Sequence, residues 1–241
     1  RIFASTADGS LAARIGKVYR VLHREIFTAN NGFSLPGTQM FSENGTTSDE
    51  MAQGAYDNVG VTYNYFSEKF GRDSFDNEGT TLKATVHVGN NYNNAFWYNS
   101  MAAFGDGDGI TFSGFSKSLD VVAHELSHGV TESEANLLYQ NESGALNEAI
   151  SDIFASGVHA FIKGVASDPA MWDVGEDCYT PGTSGDALRY MSNPSLDGTS
   201  TDYYPDRYTG SADFGGVHIN SGIANLAFYL LVNGGVHPTA K

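Results

Sequence analysis

The sequence predicts an α+β protein of two lobes, an N-terminal α+β lobe over residues 1–117 and a mainly helical lobe over residues 118–241, with a cleft between them. Three observations predict it. Apolar residues alternate with polar ones through Leu82, Ala84, Val86 and Val88, the period of a half-buried strand. Ala55, Val59, Val61, Tyr65 and Phe66 recur at helix-compatible spacing within Met51–Phe70, and Gly71 is a natural stop. Beyond residue 118, two successive segments, around His124–His128 and over Leu146–Val158, read as helices.

Taken in chain order, residues 12–24 mix basic and apolar side chains and are compatible with a short helix or with a strand pair. Residues 51–70 are a helix and residues 82–88 a strand. Asn90 to Asn94 then turns the chain into an edge along which an extended peptide can add through main-chain hydrogen bonds. Gly105-Asp106-Gly107-Asp108-Gly109 lacks the spacing of a helix-loop-helix calcium site and no P-loop lysine follows it, so it reads as a tight hairpin turn. The polar stretch Asp168–Asp213, rich in Gly, Pro, Ser and Asp, reads as an ordered loop region held in part by ions.

The chemistry is concentrated in His124-Glu125-Leu126-Ser127-His128. A helix turns once per 3.6 residues, so both imidazoles lie on one face and reach one metal ion, with Glu125 beside the water that such a metal activates. Glu148 and Asp152 repeat the four-residue spacing on the next helix, whose apolar residues Leu146, Ala149, Ile150, Ile153, Phe154 and Val158 mark a buried face. Glu148 completes a two-His, one-Glu zinc set, and Asp152 fixes the tautomer of a ligand histidine. Singly, these are ordinary helix histidines and a solvated polar edge. Together with Gly215-Gly216-Val217-His218-Ile219-Asn220-Ser221-Gly222 downstream they point to a catalytic metal.

The chain resembles the thermolysin family of zinc metalloendopeptidases, whose His/His/Glu zinc is the standing example of this donor set. Matching stretches are Asn93–Trp97, Gly105–Gly109, Val121–Glu132, Tyr139–Phe154, Gly175–Asp177, Tyr179–Met191 and Arg207–Gly222. The resemblance implies that His124, His128 and Glu148 hold zinc, that Glu125 is the general base and that Asp152 orients His124. It implies that Tyr139 and His218 donate to the oxyanion, with Asp213 behind His218, and that Asn94 and Ala95 bind the substrate backbone. Arg189 is implied to bind a substrate carbonyl beside a specificity pocket lined by Phe112, Phe115, Val121, Val174 and Leu188.

Calcium is the second cofactor that the resemblance implies. Asp120, Glu176 and the Asp173 carbonyl match a calcium site near the zinc, but His159 and Met171 stand where the family has carboxylates. Calcium takes six to eight oxygens, so one ion at Asp120, Asp173, Glu176 and Asp177 is expected rather than a pair. Tyr179, Thr180, Thr183 and Asp186 match a second, loop-bound site.

Composition bounds the partners. With 28 acidic and 13 basic residues the net charge is −15, which argues against nucleic acid and suits a soluble, calcium-binding extracellular protein. No apolar run is read as long enough to cross a bilayer, and no cleavable signal opens the chain, so Arg1 is expected to begin a processed form. The single cysteine, Cys178, excludes an internal disulfide and reads as a small buried side chain. Family members continue past the equivalent of Gly235, so either a further C-terminal segment covers Ile223, Leu226, Ala227, Leu230 and Leu231 or the chain on its own is poorly stable, and the sequence leaves both open.

The function expected is endoproteolysis by zinc-activated water, on the N-terminal side of large hydrophobic residues. A non-catalytic zinc-containing binding module is the alternative. An aminopeptidase is less favoured, because the sequence shows no carboxylate cluster for a free substrate amine.

Overall fold

The computed structural model describes residues 21–164 and 168–239. The expectation for residues 12–20 lies outside that range, while Arg24 opens a strand, β1 (Arg24–Thr28). β1 pairs antiparallel with β2 (Thr38–Ser42) through a bulge between Ile26 and Phe27, and parallel with β3 (Leu82–Val86). β5 (Met101–Phe104) runs parallel to β3, and β4 (Ala95–Tyr98) pairs antiparallel with β5. The sheet order is β2-β1-β3-β5-β4, which leaves β4 as an open edge.

Helix α1 (Glu50–Phe70) forms where the sequence signals it. Asp49 caps its first turn by accepting from the N–H groups of Met51 and Ala52, and Gly71 ends it in the left-handed conformation at φ 67°. Each such cap contributes about 1 kcal/mol. Its buried face, including Ala52, Ala55, Val59 and Tyr63, packs on the sheet. Ile26, Val59, Val86, Phe104 and Val122 are fully enclosed there. Burying each of these side chains is worth roughly 1.5–3 kcal/mol.

Helix α2 (Leu119–Glu134) closes that core with Val121, Val122 and Leu126. It is buried along most of its length, so its polar residues Asp120, His124, Glu125 and Ser127 are buried as well. Buried polar groups need partners: His124 finds Asp152 of helix α3 (Asn141–Lys163), Asp120 accepts from Gly175 in the loop beyond it, and Ser127 donates to the Ala123 carbonyl of its own helix. α3 lies between α2 and the last helix, α4 (Asp213–Asn233). Phe154 of α3 meets Phe66 of α1 with ring centroids 5.0 Å apart, joining the two lobes.

Residues 168–212 are loops, short 3₁₀ turns and one two-stranded ribbon, β6 (Asp173–Val174) with β7 (Arg189–Tyr190). The glycine stretch is a turn but not the expected hairpin, because β5 ends at Phe104 and no strand follows before α2; Asp108 holds it, its Oδ1 accepting from the N–H groups of Ile110 at 2.8 Å, Thr111 at 2.7 Å and Phe112 at 3.3 Å.

One expectation needs correction. α4 is long and apolar enough by composition to cross a membrane, at a mean hydropathy of 1.2. Interspersed polar residues, His218, Asn220, Ser221 and Asn225, hide this from a search for unbroken apolar runs. In the fold, α4 buries Val217, Asn225 and Leu226 while Leu231 stays 82% exposed.

Candidate active site

His124 and His128 project from one face of α2 as their spacing predicts, with their Nε2 atoms 3.0 Å apart. Each ring is fixed from behind. His124 Nδ1 lies 2.8 Å from the Asp152 carboxylate, and His128 Nδ1 lies 2.7 Å from Asn147 Oδ1. Both partners accept, so both Nδ1 atoms carry the proton and both Nε2 lone pairs face each other. Glu148 of α3 adds a carboxylate 3.3 Å from each Nε2, and its Oε2 is buried without a hydrogen-bond partner. Two lone pairs and an orphaned carboxylate oxygen converging on one point fit a cation with nitrogen and oxygen preference, which is zinc chemistry. Among the described residues this is the group of His, Cys and carboxylate ligands whose donor atoms come within 4.8 Å of one another.

The field favours positive charge at the same point. Burial disfavours a charged His124 ring, but the carboxylates of Glu148 and then Asp152 outweigh it and raise its pKa well above the ordinary imidazole range. Burial likewise works against a charged Glu148, and the two histidines outweigh it, holding that carboxyl well below its usual range. Glu125 is different. It is also buried, but here desolvation dominates the attraction of His124 and His128 and raises its pKa.

These groups open on a cleft of about 710 Å³ whose lining includes Asn94, Ala95, Trp97, Glu125, Tyr139 and His218. The edge strand β4 thus forms one wall, and α2 and α3 the floor. Trp97 is fixed by donating its Nε1–H to Glu132 at 2.8 Å, and it fits against α2 because residue 129 is glycine. Tyr139, on the connection between α2 and α3, donates to Glu148 Oε1 and lies 3.2 Å from His218 Nε2. Burial, then the Glu148 charge, raises the Tyr139 pKa and keeps its phenol protonated. His218 is carried by α4, whose start is distorted: Asp213, Phe214, Gly215 and Gly216 all have positive φ. That turn lets Asp213 reach back, with its Oδ1 2.6 Å from His218 Nδ1 and its Oδ2 accepting the His218 N–H at 2.8 Å.

The family models agree with this geometry. Residues 12–132 match the thermolysin metallopeptidase catalytic domain, and residues 135–240 match the thermolysin metallopeptidase alpha-helical domain. The chain belongs to the thermolysin metallopeptidase family. It is 52% identical to Bacillolysin of Bacillus cereus, over 88% of this chain and 38% of that protein. It is 50% identical to Neutral protease B of Bacillus subtilis strain 168, over 83% of this chain and 34% of that one. A solved structure of the precursor of protealysin, a metalloproteinase from Serratia proteamaculans, superposes with a TM-score of 0.80 at 42% identity. That match covers 88% of this chain and 69% of the other. The chain therefore spans little more than a third of the length of the curated relatives it matches.

The remaining thermolysin-family positions are distributed unevenly. Asp152 is fully enclosed and accepts from Arg189 Nε at 2.9 Å and Nη2 at 2.6 Å and from Asn225 Nδ2 at 2.8 Å. Leu188 and Arg189 line an adjoining cavity of about 350 Å³ that meets the cleft at His218. Phe112, Phe115, Val121 and Val174 line neither space. Phe112 stacks on Phe115 at 4.8 Å, Phe115 and Val121 share a core cluster with Cys178, and Val174 packs with Trp172 and Met191. Burial, reinforced by the charge of Asp120, pushes the Cys178 thiol up to about 12, which leaves it unreactive.

The first set of expected calcium ligands joins Asp120 of α2 to Asp173, Glu176 and Asp177 of the loop beyond α3, and their carboxylates do not converge as the zinc set does. Asp120 Oδ1 accepts from Val121 N–H at 2.8 Å and its Oδ2 from Gly175 N–H at 2.5 Å. Glu176 Oε2 is buried without a partner, and burial together with the Asp120 charge raises its pKa well above the carboxylate range. Burial also raises Asp173, while Asp177 is exposed. Met171 is buried in apolar surroundings and His159 Nε2 lies 3.5 Å from Asp168, so neither position supplies a carboxylate. In the loop, Thr180 Oγ1 donates to Asp186, whose Oδ1 is buried and unpartnered, while Tyr179 is half-buried and Thr183 exposed.

Several site residues escaped the sequence. Asn147 was visible inside the Asn147-Glu148 motif, adjacent to a ligand and one helical turn from Ser151. Asn225, seven residues after His218 on α4, had no local signal, and neither did the cleft residues Leu138 and Phe214.

Proposed function

We propose that this chain carries the hydrolytic centre of a secreted zinc endopeptidase that cuts peptide bonds on the N-terminal side of large hydrophobic residues. The observation that carries the reading is the convergence of His124, His128 and Glu148, with Glu125 beside them, on the floor of a cleft walled by an open strand. Zinc held by those three residues would polarise the scissile carbonyl and make water nucleophilic near neutral pH.

The chain's own residues supply the rest. An extended peptide adds to β4 at Asn94 and Ala95, recognised by its main chain. Glu125, with its pKa raised by burial, takes the proton of the attacking water and passes it to the departing amine. Tyr139 and His218 donate to the oxyanion, an arrangement worth about 3 kcal/mol per donor, and Asp213 orients the His218 ring. Asp152 holds His124 and Arg189 together, so the guanidinium that would bind a substrate carbonyl is pre-positioned. Leu188 in the adjoining cavity supports an apolar preference for the residue after the scissile bond.

The unpartnered oxygens of Glu176 and Asp186 support calcium at Asp120/Asp173/Glu176/Asp177 and at Tyr179/Thr180/Thr183/Asp186. The precursor form of the Serratia relative and the net charge of −15 support processing and secretion. The exposed end of α4, Leu231 and Val232, supports a partner segment of the same polypeptide on that face. The lobe boundary proposed is residue 117, the end of the 3₁₀ turn Phe115–Lys117 that precedes α2.

The test is cleavage of an internally quenched peptide with Leu or Phe after the scissile bond. Turnover abolished by a zinc chelator, restored by zinc and lost in Glu125→Gln is the expected result, with internal fragments as products. Bound zinc with no turnover would favour the non-catalytic module, and stepwise loss of N-terminal residues would favour an aminopeptidase.

A further inference from the structure

Phe214 adopts φ 51° and ψ 31°, a left-handed conformation that bulky side chains rarely take. Core packing does not explain it, because the side chain is 64% exposed. Asparagine or glycine would occupy the same backbone with less strain. What this placement achieves is to stand a phenyl ring in the cleft, its centroid 5.7 Å from that of Tyr139, on the same lining as Glu125, Glu148 and His218. Leu138, 70% exposed, lines that cleft too. Two large apolar side chains left open to solvent beside the oxyanion donors are a surface waiting for an apolar group.

We propose that Phe214 and Leu138 form the binding wall for an apolar or aromatic side chain on the residue immediately before the scissile bond. The inference rests on the endopeptidase reading above. In that reading the attacked carbonyl sits against Tyr139 Oη and His218 Nε2, which are 3.2 Å apart. The side chain one carbon away from that carbonyl is therefore the group brought next to the Tyr139 ring and its neighbour Phe214. Leu188 and Arg189 line the other cavity and not this one, so the residue after the bond and the residue before it are read by separate walls.

The test compares three quenched peptides that differ only in the residue before the scissile bond, Gly, Leu or Phe, with Leu after it. The proposal expects kcat/KM to favour Phe over Gly by about tenfold or more in the unaltered chain. It expects Phe214→Asn, which suits the left-handed backbone, to bring that ratio to within about threefold, and Leu138→Ser to reduce it part of the way. Zinc content and melting temperature report whether either variant has disturbed the fold. The same ratio is read as Kd in the Glu125→Gln background, where the peptide is held and not cut. A Phe-over-Gly preference that Phe214→Asn leaves intact in both assays overturns the wall. Absence of cleavage by the unaltered chain overturns the endopeptidase reading, and the Kd ratio still decides the wall.

Discussion

The Asp152 carboxylate accepts from His124 Nδ1 at 2.8 Å and from Arg189 Nη2 at 2.6 Å through one and the same oxygen. A proposed zinc-ligand histidine and a buried guanidinium thus share a single anion. Burial alone would raise Asp152, but Arg189 first and His124 next hold its pKa far below the carboxylate range. Asp152→Asn weakens both links. Zinc affinity is expected to fall about 10- to 100-fold, read by competition with a chromophoric chelator. Leaving Arg189 buried without its counter-ion is expected to cost about 3–5 kcal/mol, read by denaturant unfolding. Unchanged zinc affinity would remove Asp152 from the metal site's support.

Tyr139→Phe and His218→Ala each remove one donor from the proposed oxyanion position. Each is expected to lower kcat by about 10²–10³ with zinc content unchanged. Asp213→Asn keeps the imidazole and loses its orienting charge, so a smaller loss is expected. A variant whose defect lies wholly in KM would show that the residue binds substrate and does not stabilise charge.

Gly129→Ala tests the fit between α2 and the edge strand. A Cβ there would come within 2.4 Å of Trp97 Cζ2 and 2.7 Å of its Cη2. Alanine favours the helix by up to about 1 kcal/mol, so the substitution looks stabilising until the indole is considered. The clash should displace Trp97 from its bond to Glu132 and move β4. The expected signature is altered tryptophan emission and a higher KM, with kcat less affected. Wild-type KM with unaltered emission would show that the indole shifts freely and does not position the strand.

His87 gives a pH dependence away from the metal. Its ring is held between Asp106 at 2.7 Å and Asp49, the cap of α1, at 2.9 Å. Burial lowers its pKa, but the two carboxylates, Asp106 before Asp49, more than offset this and raise it above the ordinary 6.5. A raised folded-state pKa contributes stability that is complete below the unfolded value and is lost as pH rises through the folded one. Unfolding free energy should therefore decline on the alkaline side of 6.5 by an amount that His87→Gln abolishes. A NMR titration of the His87 ring at or below its unfolded value would defeat the prediction.

What the sequence could disclose followed from whether a regular period converts spacing into proximity. His124 and His128, or Glu148 and Asp152, are neighbours on any helix, so their facing could be read from four-residue spacing alone. The Asp108 turn was legible for the same local reason. Asn225 and Phe214 depend on how α4 docks against α3 and on four consecutive positive-φ residues before Val217, which no periodicity encodes. Phe112, Phe115, Val121 and Val174 are matched by position as pocket lining; in the fold Phe115, Val121 and Val174 are buried in core clusters, and Phe112 stacks half-buried on Phe115.

The open edge of β4 has a consequence for what this chain could digest. A strand that recognises main-chain groups needs a partner whose N–H and C=O groups are free, and in a folded protein those groups are already taken. Susceptibility would then be set less by the amino acids flanking a bond than by the free energy needed to open that stretch locally. Every 1.4 kcal/mol or so of local stability would slow cleavage about tenfold. Frayed termini and loose loops would be cut first, and a well-packed domain would survive until something else unfolded it.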